Sequence, residues 1–236
     1  MALPTHFGIK LKTSWRQLVG TLLLLLAIIG VVSYGAFVVA YPFGWLAHPE
    51  TRLATFLVGA TLGELAALAV LLQLLHRRNI SAQTLGLGKP TNWRGVVLGL
   101  VVAFLYIDFT ALNPKVGSHL FQLTLLKGLA MAAALVAGLV EETIFRGYLM
   151  TSLEALGRGR VAQTLVSGAV FAVAHFYGFI SPVALIITFG ATFILGLGLA
   201  VTYMVGKRSL TPVIVSHVMI DLVIEPWLLL GFFTGA

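Results

Sequence analysis

No cysteine occurs among the 236 residues, and only 10% of them carry a charge. The first absence removes disulfides, thiol nucleophiles and cysteine-ligated metals. The second lies far below the roughly 25% charged residues of a soluble domain. Acids are scarcer than bases, eight against 15, which leaves a net charge of +7. Hydrophobic residues reach 59% and the mean hydropathy is +1.01. Together these values exclude a soluble globular protein, a disordered chain and a nucleic-acid-binding one. The basic excess is expected in loops between membrane spans, next to lipid. The composition predicts an all-α, polytopic integral membrane helix bundle. At ~20 apolar residues per span, 236 residues hold seven to eight transmembrane helices. No linker or convincing internal repeat divides them, so residues 1–236 read as a single membrane-embedded domain.

Charge-free apolar runs mark the spans. The first covers about residues 18–41, after Lys10, Lys12 and Arg16. It is longer than the h-region of a cleaved signal peptide, so a retained span is expected. The second covers about residues 53–75 and ends at His76-Arg77-Arg78. After a polar segment at residues 79–94, the third covers about 95–112. A fourth runs from Leu126 past Met150. The 46 residues from 161 to 206 then contain no charged side chain, and a Gly-Phe-Ile-Ser-Pro break at 178–182 divides them. A fifth span, 161–177, and a sixth, 183–205, result. The seventh covers 210–224, and residues 227–233 make a short apolar tail after Glu225-Pro226. With the N-terminus inside, 12 of the 15 Lys and Arg fall on the inner half, and Arg52, Lys115 and Lys127 outside. This bias predicts a cytoplasmic N-terminus in the cytoplasmic membrane.

Six ionisable residues fall inside these spans: Glu64, Asp108, Glu141, Glu142, Arg146 and Asp221. Each costs roughly 2.5–3.5 kcal/mol at a span centre when charged and alone. All six would cost on the order of 15–20 kcal/mol, more than the roughly 5–15 kcal/mol of a typical fold. A polar pocket within the bundle resolves the conflict. Glu142 and Arg146, at i and i+4 with the acid first, suit a same-face ion pair acting as a structural clasp. Glu141 points ~100° away and gains no partner from its own helix. His217 and Asp221 share a face of the seventh span. Glu141 and His175 are equidistant from residue 158 in the turn between their helices, so an antiparallel pair puts them at similar depth. His217 lies nine residues beyond Arg208, ~13 Å into the membrane. Three helices can therefore bring an acid and two imidazoles to one buried level. Gly190, Gly196 and Gly198 on the sixth span read as close-packing positions.

Glu141-Glu142-x-x-x-Arg146, Phe171-x-x-x-His175 and His217-x-x-x-Asp221 occur in that order, each within a predicted span. This pattern resembles the CAAX prenyl endopeptidases and bacteriocin-processing enzymes, the CPBP or Abi family of intramembrane proteases. The resemblance covers roughly residues 120–225, the family-like catalytic core. It implies a membrane endopeptidase that hydrolyses a peptide bond near the membrane interface, acting on a peptide or lipidated protein and using no cofactor. It further implies that Glu141 and His175 activate a water molecule while His217 and Asp221 form the oxyanion site. Glu142, Arg146 and Phe171 would give structural support. Prenyl-protein members usually carry Asn where this chain has Asp221, although many bacterial relatives also have Asp. An ionised Asp cannot donate to an oxyanion, so Asp221 is expected to orient His217.

Two other readings compete. Glu141, His175 and His217 could be zinc ligands of a metalloprotease, since two His plus a carboxylate is a legitimate catalytic set; no HExxH signature is present. Alternatively, Glu64, Asp108, Glu141 and Asp221 could form the relay of a proton-coupled transporter, or the chain could be a non-catalytic member that kept the fold.

Overall fold

Ser14 and Gln17 satisfy each other's backbone N–H groups in a capping box that starts α1 (Trp15–Ala40). This and the following elements are seen in a computed structural model that describes residues 11–175 and 182–234. Pro49 opens α2 (Pro49–Arg77), with Glu50 in its first turn and His76 and Arg77 in its last, matching the helix dipole at both ends. Asn92 caps α3 (Trp93–Ala111), Asn113 the short α4 (Pro114–Gly117) and Thr124 α5 (Leu125–Glu142), each through its side chain. A wide π turn (Thr143–Leu149) joins α5 to α6 (Met150–Ala155). Then come α7 (Arg160–Ala174), α8 (Pro182–Val205), α9 (Thr211–Ile224) and α10 (Trp227–Thr234). The described residues contain no strand.

The all-α membrane bundle expected from composition is what forms. Among the described residues, five helical stretches are long and apolar enough to cross a bilayer: Trp15–Phe43, Pro49–Arg77, Trp93–Ala111, Leu125–Ala155 and Leu185–Val205. Arg160–Ala174 and Thr211–Ile224, read as the fifth and seventh spans, are apolar but shorter. The tail helix α10 has eight residues. Lys10, Tyr177 at the end of the predicted fifth span and the break at 178–181 lie outside the described residues.

Lipid tails offer helices no hydrophobic drive to associate, so close contact depends on small residues. Gly63 sits against the backbone of Ile29, joining α2 to α1. Gly95 meets Gly206 below α3, and Gly138 brings α5 onto Val218 of α9. Gly168 and Gly196 bring α7 onto α8, and Gly198 faces Val102. Gly190 is a correction to the packing reading of the three α8 glycines: its surroundings are open, because that part of α8 borders a cavity. Asp108 is a second correction. It is exposed and lines no polar pocket, lying near the end of α3 where its carboxylate can reach the interface.

One end of the bundle is cross-braced. Tyr203 donates to the Leu85 carbonyl at 3.0 Å, Asn92 to Val205 at 3.1 Å and Ser209 to Lys89 at 3.2 Å. Arg208 bonds Gln163 at 2.6 Å and pairs with Glu154 at 3.2 Å, while the Arg158 guanidinium lies 5.1 Å from the Trp15 ring centroid. These contacts draw together the ends that carry Lys12 and Arg16, Lys89 and Arg94, Arg158 and Arg160, and Lys207 and Arg208; Arg77 and Arg78 end α2 at the same side, because α2 packs antiparallel to α1. A Cβ at Gly63 would lie 2.9 Å from the Ile29 backbone, so Gly63→Ala should lower stability by about 1–3 kcal/mol through overpacking. Gly30→Ala, with nothing within 4 Å, should not. Thermal unfolding in detergent compares the two.

Candidate active site

The three motifs meet at the middle of the bundle. α5 delivers Glu141 and Glu142 at its last two positions, immediately before the π turn. Adjacent helical residues diverge by ~100°, and here that divergence lets the two carboxylates approach one imidazole from opposite edges. Glu142 Oε1 accepts from His217 Nδ1 at 2.8 Å. Glu141 Oε2 faces the same ring's Nε2 at 3.9 Å. Asp221, one turn along α9, stands 3.4 Å from that Nε2. Asp221 is therefore close enough to influence His217, but the shorter bond that fixes the ring comes from Glu142. The sequence offered Glu142 only as a partner for Arg146.

Arg146 does pair with Glu142, at 2.7 Å, and neither side chain has any solvent exposure. The guanidinium also donates to the Gly196 carbonyl on α8 at 3.1 Å and lies 4.4 Å from the Phe171 ring centroid. A guanidinium over an aromatic face gains from the ring quadrupole, the more so away from water. Phe171 is the common neighbour. Its centroid is 4.3 Å from that of His175, 5.7 Å from His217 and 5.3 Å from Phe145. Of the three residues read as support, Glu142 bonds His217, Phe171 contacts both histidines, and Arg146 holds Glu142 and covers Phe171.

His175 lies at the C-terminal end of α7, where its Nδ1 donates to the Phe171 carbonyl at 2.8 Å. A carbonyl can only accept, so the proton is on Nδ1 and, in the neutral ring, Nε2 presents a lone pair. That Nε2 faces Glu141 Oε2 at 3.3 Å. At this distance the two acceptors are placed to share a single proton. An imidazole and a carboxylate in this relation can together take a proton from a bound water.

These side chains border a cavity of about 950 Å³. Glu141, Phe171, His175, His217 and Asp221 all line it. So do Glu64 of α2, Tyr106 of α3, Thr192 of α8 and Glu225 after α9, which the motifs did not indicate. Glu64, singled out by its place in a span though not by a motif, is buried on the wall facing the motifs. Lys127 of α5 donates its ammonium to the Val223 carbonyl at 2.8 Å and to that of Glu225, closing the C-terminal end of α9. Among the described residues no three His, Asp or Glu side chains are grouped in a way that would hold a metal ion.

Residues 122–223 match the family model described as Type II CAAX prenyl endopeptidase Rce1-like, and all three motifs lie within the match. No curated protein and no solved structure matches the chain.

Breaking a buried pair by removing one partner costs about 3–5 kcal/mol, whereas an apolar replacement of both can be neutral. Arg146→Met should therefore unfold at markedly lower temperature than wild type. The double variant Arg146→Met/Glu142→Leu should recover part of the loss, although His217 loses its acceptor. Thermal melts of the three proteins in one detergent test this.

Proposed function

From the match of residues 122–223 to the type II CAAX prenyl endopeptidase Rce1-like family, we propose that the chain is an intramembrane endopeptidase whose water is activated by Glu141 and His175. The observation that carries the reading is convergence. Nε2 of His175 and Nε2 of His217, from different helices, approach the same oxygen of Glu141 at 3.3 and 3.9 Å on the wall of the cavity. The substrate is a peptide or lipidated protein lying with its scissile bond in the cavity. The protein sits in the cytoplasmic membrane with its N-terminus cytoplasmic, as the basic face favours.

The chemistry follows from the donors and acceptors. Water held beside Glu141 and His175 gives a proton to this pair as its oxygen adds to the peptide carbonyl carbon. The carbonyl oxygen becomes an oxyanion. His217 commits its Nδ1–H to Glu142, so it donates to that oxygen from Nε2–H only as the imidazolium, in which both ring nitrogens carry a proton. Charge developing away from water makes such a donor effective. The C–N bond then breaks, and the proton held by the Glu141–His175 pair passes to the leaving amine. Asp221 orients and balances His217 across 3.4 Å and makes no bond to substrate. Glu142 and Arg146 hold the imidazole and the helix.

No step uses a metal, so cleavage should persist in chelator. Purified protein tested on a panel of quenched lipidated peptides should show cleavage that falls by roughly 10²–10⁴-fold in Glu141→Gln and His175→Ala. His217→Ala should lose roughly 10²–10³-fold, and Asp221→Asn should retain most activity. Equal cleavage by wild type, Glu141→Gln and His175→Ala would remove the proposed base pair. Inactivation by chelator, restored by zinc, would support the metalloprotease alternative.

A further inference from the structure

Which surface the cavity serves can be read from the helices that line it. Five basic clusters occupy one end of the bundle, where Arg208, Asn92, Tyr203 and Ser209 cross-brace the helix ends and the segment after α2. Each long helix that lines the cavity does so with its middle or its opposite half. The lining stretches fall at 26–33 of α1, 56–64 of α2, 106–110 of α3 and 187–195 of α8, and at 217–224 of α9. Beyond α3 the lining continues through Leu112, Asn113 and Lys115, and Lys115 is exposed. Toward the basic end the path is filled. Arg146, Tyr148, Leu149, Met150, Tyr203 and Leu210 are all at most 1% exposed, and Leu85 closes against them. The cavity is thus shut on the basic side and reaches the surface at the other.

Positively charged loops remain on the cytoplasmic side of a membrane. Ten described Lys and Arg side chains lie at the plugged end, against Arg52, Lys115 and Lys127 at the open one. Lys127 is itself buried against the Val223 and Glu225 carbonyls. We therefore infer that the cavity is loaded from the face opposite the cytoplasm. Its substrate is a stretch of polypeptide held at that outer surface, as in an exported or membrane-anchored protein, and not a cytosolic chain end. This rests on the protease reading for the word substrate, but its geometry does not.

The complete absence of cysteine makes the test direct. Single variants Lys115→Cys and Ser118→Cys report the open end, and Ser81→Cys reports the basic end; all three positions are exposed. A membrane-impermeant maleimide applied to intact cells should label Lys115→Cys and Ser118→Cys to the extent seen after permeabilisation. Ser81→Cys should be labelled only once the membrane is opened. The reverse pattern, or labelling of Ser81→Cys in intact cells, overturns the inference. A membrane-impermeant quenched peptide added outside sealed cells should be cleaved by wild type and not by Glu141→Gln; cleavage that begins only after permeabilisation also overturns it. Labelling needs no turnover, so a reversed pattern leaves the protease reading standing. A correct pattern with no cleavage before or after permeabilisation counts against the protease reading alone.

Discussion

The constraint from which the arrangement follows is a carboxylate with no access to water. Glu142 is fully buried within a helix bundle set in lipid, and one of its oxygens accepts from both Arg146 and His217. An isolated ion in such a place costs several kcal/mol even after relaxation, and only good geometry with additional hydrogen bonds offsets it. Those bonds draw in four elements. α5 supplies the acid, the π turn Arg146, α9 His217 and α8 the Gly196 carbonyl that takes the second guanidinium bond. Phe171 of α7 covers the guanidinium and both imidazoles. Satisfying one buried charge therefore fixes the relative positions of the helices that carry the three motifs. The histidines are oriented as a consequence of that packing.

Much of this was legible in the sequence because membranes punish exceptions. A charge-free run of 46 residues can only be spans, and an acid inside one must have a reason to be there. The spacing of Glu142 and Arg146 gave their pairing correctly, since i,i+4 neighbours share a face and the contact is made at 2.7 Å. Equal distance from the turn gave the level of Glu141 and His175, which meet at 3.3 Å. The bond from Glu142 to His217 was not legible. It joins residues 75 apart in the chain, and no local period reports a contact between distant helices. Asp108 misled for a related reason. Its position along the span was clear, but its facing depends on how α3 meets α8 and α9, which hydropathy does not encode.

The π turn explains a further gap between pattern and structure. The fourth span reads as one continuous helix, yet at Thr143 the helix widens for seven residues, all of them buried. π segments are rare and concentrate at functional sites, because the extra residue per turn shifts the helical face without breaking the helix. Here the shift begins one residue after Glu142. The stretch that presents Glu141 and Glu142 to α7 and α9 is therefore offset in rotation from the stretch below it. That lower stretch must place Tyr148, Leu149 and Met150 in the plug beneath the cavity. An unbroken α-helix would tie the orientation of the acids to the orientation of the plug.

The boundary of the family match has a physical counterpart. Residues 122–223 contain every side chain assigned to the reaction, and these belong to α5, α7 and α9. The facing wall comes from helices before the match: Glu64 and Phe56 on α2, Tyr106 and Thr110 on α3, and Ile29 and Ser33 on α1. The two parts meet different demands. In the proposed mechanism proton transfer tolerates little displacement, and the residues assigned to it are held by a buried ion pair and by aromatic contacts. A wall that receives a polypeptide is shaped by what it binds, and α1 contributes to it while leaving much of its own length to lipid. Under the proposed mechanism, change in the first three helices alters the wall without moving the residues assigned to bond cleavage. The same division leaves Glu64, a buried acid outside the matched segment, on the facing wall of the cavity, opposite the residues assigned to the reaction.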